Sequence, residues 1–596
     1  MSVLDRIERL RNAMEQQKVD CYIIPTDDYH HSEYVGDYFK FREYITGFTG
    51  SAGTAVFTKD KAGLWTDGRY FIQAEAQLKG SGITLYKSGE SDVPTIEEFL
   101  KSELKEGDVL GFDGRTVTYA QGKRYCHIAD ENGASLKYSL DFAQNIWKER
   151  PEMSMEPVFS LEDEYTGEKI GSKLERIREI MKENGCNAHV LSSLDDIAWL
   201  LNIRGNDIAY CPLVLSYAIV YNNSVELFAD IRKFSDDIIN LLAGNQVKIY
   251  PYEDIYRKVS EMTSEDKLLL DSSIMNYSLY QSISKETVIV DKQNPEILMK
   301  SVKNETQAEN LRKAHLKDAV AHTKFMYWLK KNIGRVEITE LSASARLEGL
   351  RAEQEHFLGP SFGPISAYGE HGAIVHYSAD EKSNVPLKEG KLFMTDTGGH
   401  YLEGSTDITR TVALGEVGNI EKEHFTLVAR AMLRLANTVF LYGCSGANLD
   451  CIAREVFWKE GLNFNHGTGH GVGYLLNIHE GPINFRWKEG ERPAPALEEN
   501  MVITDEPGIY IEGSHGIRLE NELLVRKTVK NEYGQFMNFE ILTYVPIDLD
   551  AILPEKMSTE EKEMLNHYHK QVYEKVSPYL SEEERIWLKE YTRAVK

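Results

Sequence analysis

The sequence is poor in cysteine and in basic residues. Only six of its 596 residues are cysteines, and none of them forms a C-x-x-C pair. A disulfide scaffold and a thiolate zinc site are therefore not expected, and the thiols should be reduced. Lysine and arginine (68) are outnumbered by aspartate and glutamate (93), which gives a net charge of -25. This acidity argues against nucleic acid or an anionic membrane as a partner.

Signals for export and for membrane insertion are also missing. The N-terminus MSVLDRIERLRNAMEQQ carries charged residues from Asp5 to Arg11, where a signal peptide would have its apolar core. No later apolar run is long enough to cross a bilayer. We therefore expect a cytoplasmic protein. Its length exceeds that of one hydrophobic core, so about three to four domains are expected.

The first 300 residues contain two successive segments of alternating helix and strand patterns. GLWTDGRYF in the first resembles ELFADIRKF in the second, which aligns Asp67 and Arg69 with Asp230 and Arg232. YITGFTG likewise has a counterpart in WLLNIRG. The pattern predicts two related α/β domains in tandem, residues 1–155 and 156–300, followed by a larger domain, residues 301–596.

A long helix is predicted at the start of the larger domain. Thr306 and Glu309 suit a capping box, and His315 and His322 lie on or near the apolar face, where histidines more often pack than bind metal. The other face positions are Leu311, Ala314, Ala319, Met326 and Leu329.

A second capping box, Ser558 and Glu561, is predicted near the C-terminus. The helix that follows should dock one stripe on the domain or on a second subunit. The stripe consists of Leu565, Tyr568, Val572 and Val576.

The stretch NHGTGHGVGYLLNIHEGP, residues 465–482, combines three histidines with many glycines. His466 and His470 have the spacing of a helical zinc motif, but the intervening glycines each cost a helix about 1 kcal/mol and the general-base glutamate is missing. We interpret the stretch as extended backbone that passes close to another group, with some imidazoles directed at it. Glycine-rich turns with solvent-facing or hydrogen-bonded histidines are the alternative.

Two strand-like stretches bring acidic residues into apolar surroundings. KLFMTDTGGHYLEGSTDITRTV predicts a hairpin with Asp396 at the end of the incoming strand and Asp407 on the outgoing strand. In MVITDEPGIYIEGSHGIRLENELLV, an apolar strand leads to Glu506 and a return strand leads to Glu520.

Four carboxylates in such surroundings need a positive charge among them. Arg410 and Arg518 could supply part of it in a structural ion-pair network, which is the alternative to a metal site. Two aspartates, two glutamates and a histidine form a ligand set that balances two divalent cations, so a dinuclear site is favoured. The oxygen-rich set suits Mn²⁺ or Co²⁺ at least as well as Zn²⁺, and we expect manganese. Two ions about 3.5 to 4 Å apart can hold a hydroxide and polarise a carbonyl, which predicts amide hydrolysis.

Six motifs in order, AIVHY, DTGGHYLEGSTDITRT, HGTGHGVG, HEGP, DEPG and GIRLEN, resemble those of metallopeptidases with the creatinase or pita-bread fold. With two preceding α/β domains, the chain is most similar to the three-domain cytosolic aminopeptidases P, or Xaa-Pro aminopeptidases. The likeness extends to SEYVG, GFTGSAGTA and WTDGRYF at the front and to SLDDIAWLLNIRG in the middle. Asn465 and Thr397 depart from the family pattern, but neither change removes a ligand.

The resemblance implies the metal ligands. It places Asp396 on one ion, Asp407 and Glu520 between the two ions, and His470 and Glu506 on the other. It also implies that His470 faces the substrate and that Glu506 is a candidate acceptor for the proton of the attacking water.

The resemblance further implies substrate contacts. His376 in AIVHY and His479 in IHEGP match histidines that contact the peptide around the scissile bond, where they can stabilise the oxyanion or carry a proton. His466 would be a close neighbour of the site. Arg69 matches a substrate-contacting arginine of the first domain, and its structural alternative is a turn contact with Asp67.

The implied activity is release of the first residue from peptides with proline in second position, by a homodimer.

Arg518 alternates with Ile517 and Leu519 and is therefore expected on the face of Glu520, as support for the ligands. A prolidase acting on Xaa-Pro dipeptides is the alternative within the enzymes, and a non-catalytic peptide-binding or scaffold protein is the alternative outside them. Since all five metal positions are filled, metal-free creatine-hydrolysing and catalytically silent relatives are disfavoured.

Overall fold

The computed structural model describes residues 1–488, 490 and 493–596. These residues form two compact units. The first unit comprises Met1–Leu161 and Glu168–Glu296, and the second comprises Glu162–Gly167 and Ile297–Lys596. Within the described residues, every helix is too short or too polar to cross a lipid bilayer. The predicted domain boundaries after residues 155 and 300 remain predictions.

The regular elements of residues 1–301 are strands and helices mixed along the chain. The strands are β1 (Cys21–Pro25), β2 (Thr54–Thr58), β3 (Ala62–Thr66), β4 (Thr84–Lys87), β5 (Val109–Phe112), β6 (Ser135–Lys137), β7 (Phe159–Ser160), β8 (Ala188–Leu191), β9 (Ile203–Arg204), β10 (Tyr217–Tyr221), β11 (Val225–Phe228), β12 (Val247–Tyr250), β13 (Lys267–Leu270) and β14 (Val288–Asp291). The helices are α1 (Val3–Gln16), α2 (Phe41–Thr46), α3 (Phe71–Gln77), α4 (Ile96–Glu103), α5 (Tyr119–Glu131), α6 (Phe142–Ile146), α7 (Asp163–Thr166), α8 (Ile170–Glu183), α9 (Leu194–Leu200), α10 (Asp236–Gly244), α11 (Asp254–Ser260), α12 (Tyr277–Ser282) and α13 (Pro295–Ser301).

The first unit contains two six-stranded sheets with the same topology. Their strand orders are β4-β3-β2-β1-β5-β6 and β12-β11-β10-β8-β13-β14. In each sheet the first strand along the chain pairs antiparallel with one neighbour and parallel with the other. The loops after β3 and β11 also match, because Arg69 Nε lies 2.8 Å from Asp67 Oδ1 and Arg232 Nε lies 2.9 Å from Asp230 Oδ1. The predicted tandem α/β fold is confirmed.

The second unit is built from antiparallel strands and longer helices. Its strands are β15 (Phe357–Pro360), β16 (Ile365–Tyr368), β17 (Lys391–Thr397), β18 (Gly399–Tyr401), β19 (Gly404–Ser405), β20 (Ile408–Leu414), β21 (Phe440–Leu441), β22 (Gly469–Gly471), β23 (Glu480–Phe485), β24 (Val502–Asp505), β25 (Gly508–Ile511), β26 (His515–Arg518), β27 (Asn521–Asn531) and β28 (Gly534–Ile541). Its remaining helices are α14 (Glu305–Asn332), α15 (Glu340–Ala352), α16 (Asn419–Ala436), α17 (Gly446–Trp458), α18 (Thr559–Val576) and α19 (Glu582–Tyr591).

The core of this unit lies between its helices and its sheets. A six-stranded sheet has the order β21-β28-β27-β24-β22-β23, and a three-stranded sheet has the order β16-β17-β20. Side chains from α14, α16, α18, β17 and β27 share one hydrophobic cluster, for example Phe325, Leu433, Leu565, Phe393 and Leu523. Burial of each such side chain stabilises the fold by about 1.5 to 3 kcal/mol. This is the predicted pita-bread domain.

The N-cap of the first long helix, α14, lies two residues earlier than predicted. Its N-cap is Asn304, whose side chain accepts from Gln307 N at 2.9 Å while Gln307 Oε1 accepts from Asn304 N at 3.1 Å. The capping box expected at Thr306 and Glu309 was wrong, since asparagine caps a helix as well as threonine does. Asn304 Nδ2 also donates to Thr166 O, which fixes the helix start at this residue.

The apolar stripes of the predicted helices are buried. The face predicted for α14 is buried, including both of its histidines, His315 and His322. In α18 the predicted box of Ser558 and Glu561 is present, and its stripe lies in the core of the same unit. Dimer formation is therefore not needed to cover the stripe of α18.

Candidate active site

The two predicted aspartates lie at one end of the strand pair β17 and β20. Asp396 is in β17 opposite Thr409 of β20. Asp407 was predicted on the outgoing strand, but it lies just before β20. The reason is that the chain leaves after β17 to form β18 and β19, so the connection is longer than a simple hairpin. A Cβ on Gly398 at this departure would lie 1.8 Å from Thr406 O, which requires glycine.

The two predicted glutamates follow strand ends. Glu506 comes directly after β24, and its backbone N–H donates to Thr468 O at 2.8 Å. Glu520 lies between β26 and β27, where its N–H donates to Thr409 O at 3.1 Å. The hydroxyl of Thr409 donates to Glu520 Oε2 at 2.7 Å, so β20 holds both the backbone and the side chain of this glutamate.

The glycine-rich stretch is extended at His470, as predicted. His470 lies in β22, between β23 and β24 in the sheet. A Cβ on Gly469 would lie 1.9 Å from Thr504 O, and one on Gly471 would lie 2.2 Å from Glu480 O. The flanking glycines therefore allow neighbouring backbone to approach closely, and the helical zinc motif does not form.

The hydrogen bonding of His470 favours metal binding. Its Nδ1 lies 2.9 Å from the carbonyl oxygen of Gly471 and must carry the proton there, which places the lone pair on Nε2. This Nε2 lies 3.5 Å from Asp407 Oδ2 and 3.8 Å from Glu506 Oε1, both longer than a good hydrogen bond. One ligand atom each from Asp407, His470 and Glu520 lie within 4.8 Å of one another. The donor set and its spacing fit a divalent cation.

The electrostatics of the carboxylates also call for a cation. Burial, together with the charges of Asp396 and Glu506, raises the pKa of Asp407 well above its usual value. Burial and the charge of Asp407 do the same for the pKa of Glu520. The pKa of Glu506 is raised by burial, although His470, when protonated, and Arg518 oppose the shift. These groups can all be ionised at neutral pH only if positive charge lies among them.

The arginines supply little of that charge. Arg518 Nη2 donates to Asp396 Oδ2, and Arg518 reaches Glu520 only through Thr409. The expected support of Glu520 by Arg518 is therefore indirect. Arg410 donates to backbone carbonyls, to an amide oxygen and to the hydroxyl of Tyr568. Hydrogen bonds from these two arginines thus reach one carboxylate side chain of the four, although the charge of Arg518 also lowers the pKa of Glu506.

A hydrogen-bonded chain leads from His466 to Asp396. His466 Nδ1 lies 2.6 Å from Gly467 O, so its Nε2 accepts from the hydroxyl of Tyr510 at 2.7 Å. Tyr510 in turn accepts from Arg518 Nη1 at 2.8 Å. Burial and the neighbouring Arg518 lower the pKa of His466 to about 3, which keeps it neutral. The sequence did not single out Tyr510, because a tyrosine in an apolar strand usually packs.

The two other predicted histidines lie next to this cluster. The rings of His479 and His470 meet edge to face, with centroids 4.3 Å apart. His376 follows Val375, whose carbonyl oxygen accepts from Arg518 Nη1 at 3.4 Å. Both imidazoles are partly exposed, as contact with a substrate requires.

Arg69 belongs to the other compact unit and is bound in its own turn. Its Nε and Nη2 each lie 2.8 Å from an oxygen of Asp67. The structural alternative to a substrate contact is therefore present, and the substrate contact remains a prediction.

Glu522 is a further residue that the sequence did not single out. It is fully buried, and its Oε1 accepts from the backbone N–H of Asp407 at 2.6 Å. Its Oε2 lies 3.1 Å from His315 Nε2 on α14. A polar residue two positions after Glu520 on the same strand face was the available signal.

Comparison with known families agrees with this geometry. Residues 309–527 match the metallopeptidase family M24, and residues 535–595 match the C-terminal region of that peptidase. Residues 6–137 and 149–307 each match the creatinase/prolidase N-terminal domain. Aminopeptidase P1 of Arabidopsis thaliana is 35% identical, and the alignment covers 99% of each chain.

The chain belongs to the aminopeptidase P family. Another relative, the Xaa-Pro aminopeptidase 1 of Dictyostelium discoideum, is 36% identical over 97% of this chain and 94% of its own. A solved aminopeptidase of the same kind, X-prolyl aminopeptidase from Caenorhabditis elegans, superposes with a TM-score of 0.95 at 33% identity and full coverage of both chains. It is described as a cytosolic enzyme with a di-nuclear active site. As a member of the aminopeptidase P family, the protein is a metallopeptidase, and the predicted family is confirmed.

Proposed function

We propose that the protein is a dinuclear-metal aminopeptidase that releases the first residue from peptides with proline in second position. The observation that carries this proposal is the convergence of Asp407, His470 and Glu520, with ligand atoms within 4.8 Å of one another. Proline specificity is supported by relatives that are named Xaa-Pro or X-prolyl aminopeptidases and match along nearly their whole length.

The ligands of the two ions are proposed from the family pattern and the donor chemistry. Asp396 would bind one ion, Asp407 and Glu520 would lie between the ions, and His470 and Glu506 would bind the other. Manganese is proposed because the set has four carboxylates, one imidazole and no thiolate. When bound, such ions supply an activated water and polarise the scissile carbonyl.

The chain's own residues would position the peptide and move protons. His479, whose ring touches that of His470, and His376 would donate hydrogen bonds to the carbonyl as its oxygen gains charge. Either imidazole can also pass a proton to the leaving nitrogen of proline. The Glu506 carboxylate, 3.8 Å from His470 Nε2, would accept the proton from the attacking water.

The peptide amino terminus is cationic and suits a pocket lined by carboxylates. We also propose that Arg69 contacts the substrate, that the protein is a homodimer and that it works in the cytoplasm. Peptide hydrolysis by wild type and by Arg69→Ala tests the substrate contact. Light scattering tests the homodimer. The third is supported by the cytosolic enzyme of Caenorhabditis elegans.

A single assay tests the proposal. The chelated protein is given Mn²⁺ and a set of peptides of the forms Xaa-Pro and Xaa-Pro-Xaa-Xaa. We expect release of the first residue from the longer peptides, dependent on added metal. Hydrolysis of the dipeptides alone would indicate a prolidase, and binding without release would indicate a non-catalytic protein.

A further inference from the structure

A second buried carboxylate, outside the metal ligands, organises one segment of the catalytic unit. Glu340 lies in the first turn of α15 and is fully buried. Its Oε1 accepts from Tyr368 N and from His371 Nδ1, both at 2.8 Å. Its Oε2 accepts from the hydroxyl of Tyr377 at 2.9 Å and from Val385 N at 3.4 Å. One carboxylate thus binds four donors spread over residues 368–385.

This segment carries His376 and has little regular structure of its own. After β16 it forms a short 3-10 helix, Gly369–Ala373, and then turns until β17 begins at Lys391. Without a continuous backbone ladder, such a segment keeps its shape mainly through contacts with its surroundings. Tyr377, which donates to Glu340, is the residue next to His376.

The segment is also held by β26. A Cβ on Gly516 would lie 1.6 Å from Gly372 O, so the two backbones touch. Arg518 Nη1 donates to Val375 O, and the same guanidinium holds Asp396. The residues on either side of His376 are therefore both held: Val375 by Arg518, and Tyr377 by Glu340.

The donors at Glu340 fit an ionised carboxylate. His371 and Tyr377 stack with ring centroids 4.6 Å apart, and both point a polar atom at it. The hydrogen bond to Glu340 raises the pKa of His371 above its ordinary value. Loss of the carboxylate would leave buried donors without an acceptor, and the segment would have to move to satisfy them.

We propose that Glu340 is a positioning residue of the hydrolytic reaction, which holds His376 against the scissile bond through Tyr377, His371 and the backbone of their segment. The inference depends on the proposed role of His376. A merely structural role, such as stabilising the N-terminus of α15, would change stability without a specific effect on turnover.

The test compares Glu340→Gln and Tyr377→Phe with Glu337→Gln, an exposed glutamate three residues earlier as the matched control. For an Xaa-Pro-Xaa tripeptide with Mn²⁺, we expect kcat to fall about 10- to 100-fold for Glu340→Gln and about 3- to 10-fold for Tyr377→Phe, since small misplacements cost that much. KM and the bound metal should change less than about twofold in both. Glu337→Gln should match the wild type.

A His376→Ala background separates the possible explanations. If Glu340 acts through His376, then Glu340→Gln and Tyr377→Phe cause no further loss of kcat in that background. An equal fold loss in both backgrounds, or wild-type kcat in both variants, overturns the inference. If Glu340→Gln fails to fold, Tyr377→Phe alone decides the question. Wild-type activity of His376→Ala would instead reject the role of His376, and an inactive wild type would reject the proposed function.

Discussion

Arg518 Nη2 lies 2.5 Å from Asp396 Oδ2, whereas Asp396 Oδ1 is buried and has no hydrogen-bond partner among the described residues. The arginine therefore orients this carboxylate without satisfying it. A buried carboxylate oxygen that lacks a donor costs free energy unless a cation contacts it. The remaining carboxylates, Asp407, Glu506 and Glu520, lie near His470, which is the arrangement expected of metal ligands.

Replacing Asp407 with Asn should abolish metal binding at the proposed bridging position and lower kcat at least about 100-fold. In the metal-free state the same variant should be more stable than the wild type at high pH, where the wild-type Asp407 ionises beside other carboxylates. Metal analysis, kinetics and thermal melting with and without chelator check both effects. Glu512→Gln, an exposed residue between β25 and β26, should behave as wild type. Full activity of Asp407→Asn would contradict a bridging role.

The stabilisation that metal provides should increase with pH. The pKa values of Asp407 and Glu520 are raised in the metal-free fold, so their contribution to stability is present at low pH and is lost as pH rises through the folded pKa values. Metal binds the deprotonated carboxylates and becomes tighter over the same range. The difference in melting temperature between loaded and chelated protein should therefore grow as pH rises above about 4, the ordinary pKa of these carboxyl groups. A difference that does not change with pH would argue against carboxylate ligands.

Replacing Tyr510 with Phe should destabilise the protein by about 1 to 3 kcal/mol, because buried groups of His466 and Arg518 lose their shared partner. Denaturant unfolding of the metal-loaded protein measures the loss. Tyr533→Phe is the matched control, since its side chain is 76% exposed and should change stability by less than about 0.5 kcal/mol. Equal stabilities of the two variants would show that the Tyr510 hydroxyl is unimportant for the fold.

The start of α14 can be tested by two capping variants. Asn304→Ala should destabilise the protein by about 1 kcal/mol, because the helix loses its N-cap. Thr306→Ala, at the position that sequence reasoning favoured, should have a smaller effect. The opposite order in denaturant unfolding would restore the original assignment.

The sequence predicted the structure correctly where the deciding contacts join residues that are close along the chain. The cap of α18 and the extended conformation at His470 depend on neighbours within a few residues or on glycine itself, and the buried stripe of α18 followed from its helical spacing. The positions of Asp396, Glu506 and Glu520 at strand ends followed from the apolar runs before or around them.

Apart from the cap of α14, which was predicted two residues too late, the errors concern contacts between distant parts of the chain. Arg518 and Asp396 are 122 residues apart, and Glu522 accepts from the backbone N–H of Asp407 across 115 residues. No local pattern indicates which carboxylate an arginine will reach. Asp407 was misplaced because the excursion through β18 and β19 has no signal in a stretch that otherwise reads as a hairpin.

The most direct test of the metal centre is a crystal structure of manganese-loaded protein, with anomalous scattering used to locate the ions. The proposal predicts two ions about 3.5 to 4 Å apart, both in contact with Asp407 and Glu520, in a preparation that hydrolyses an Xaa-Pro tripeptide. An active preparation with no ion between these side chains would contradict it.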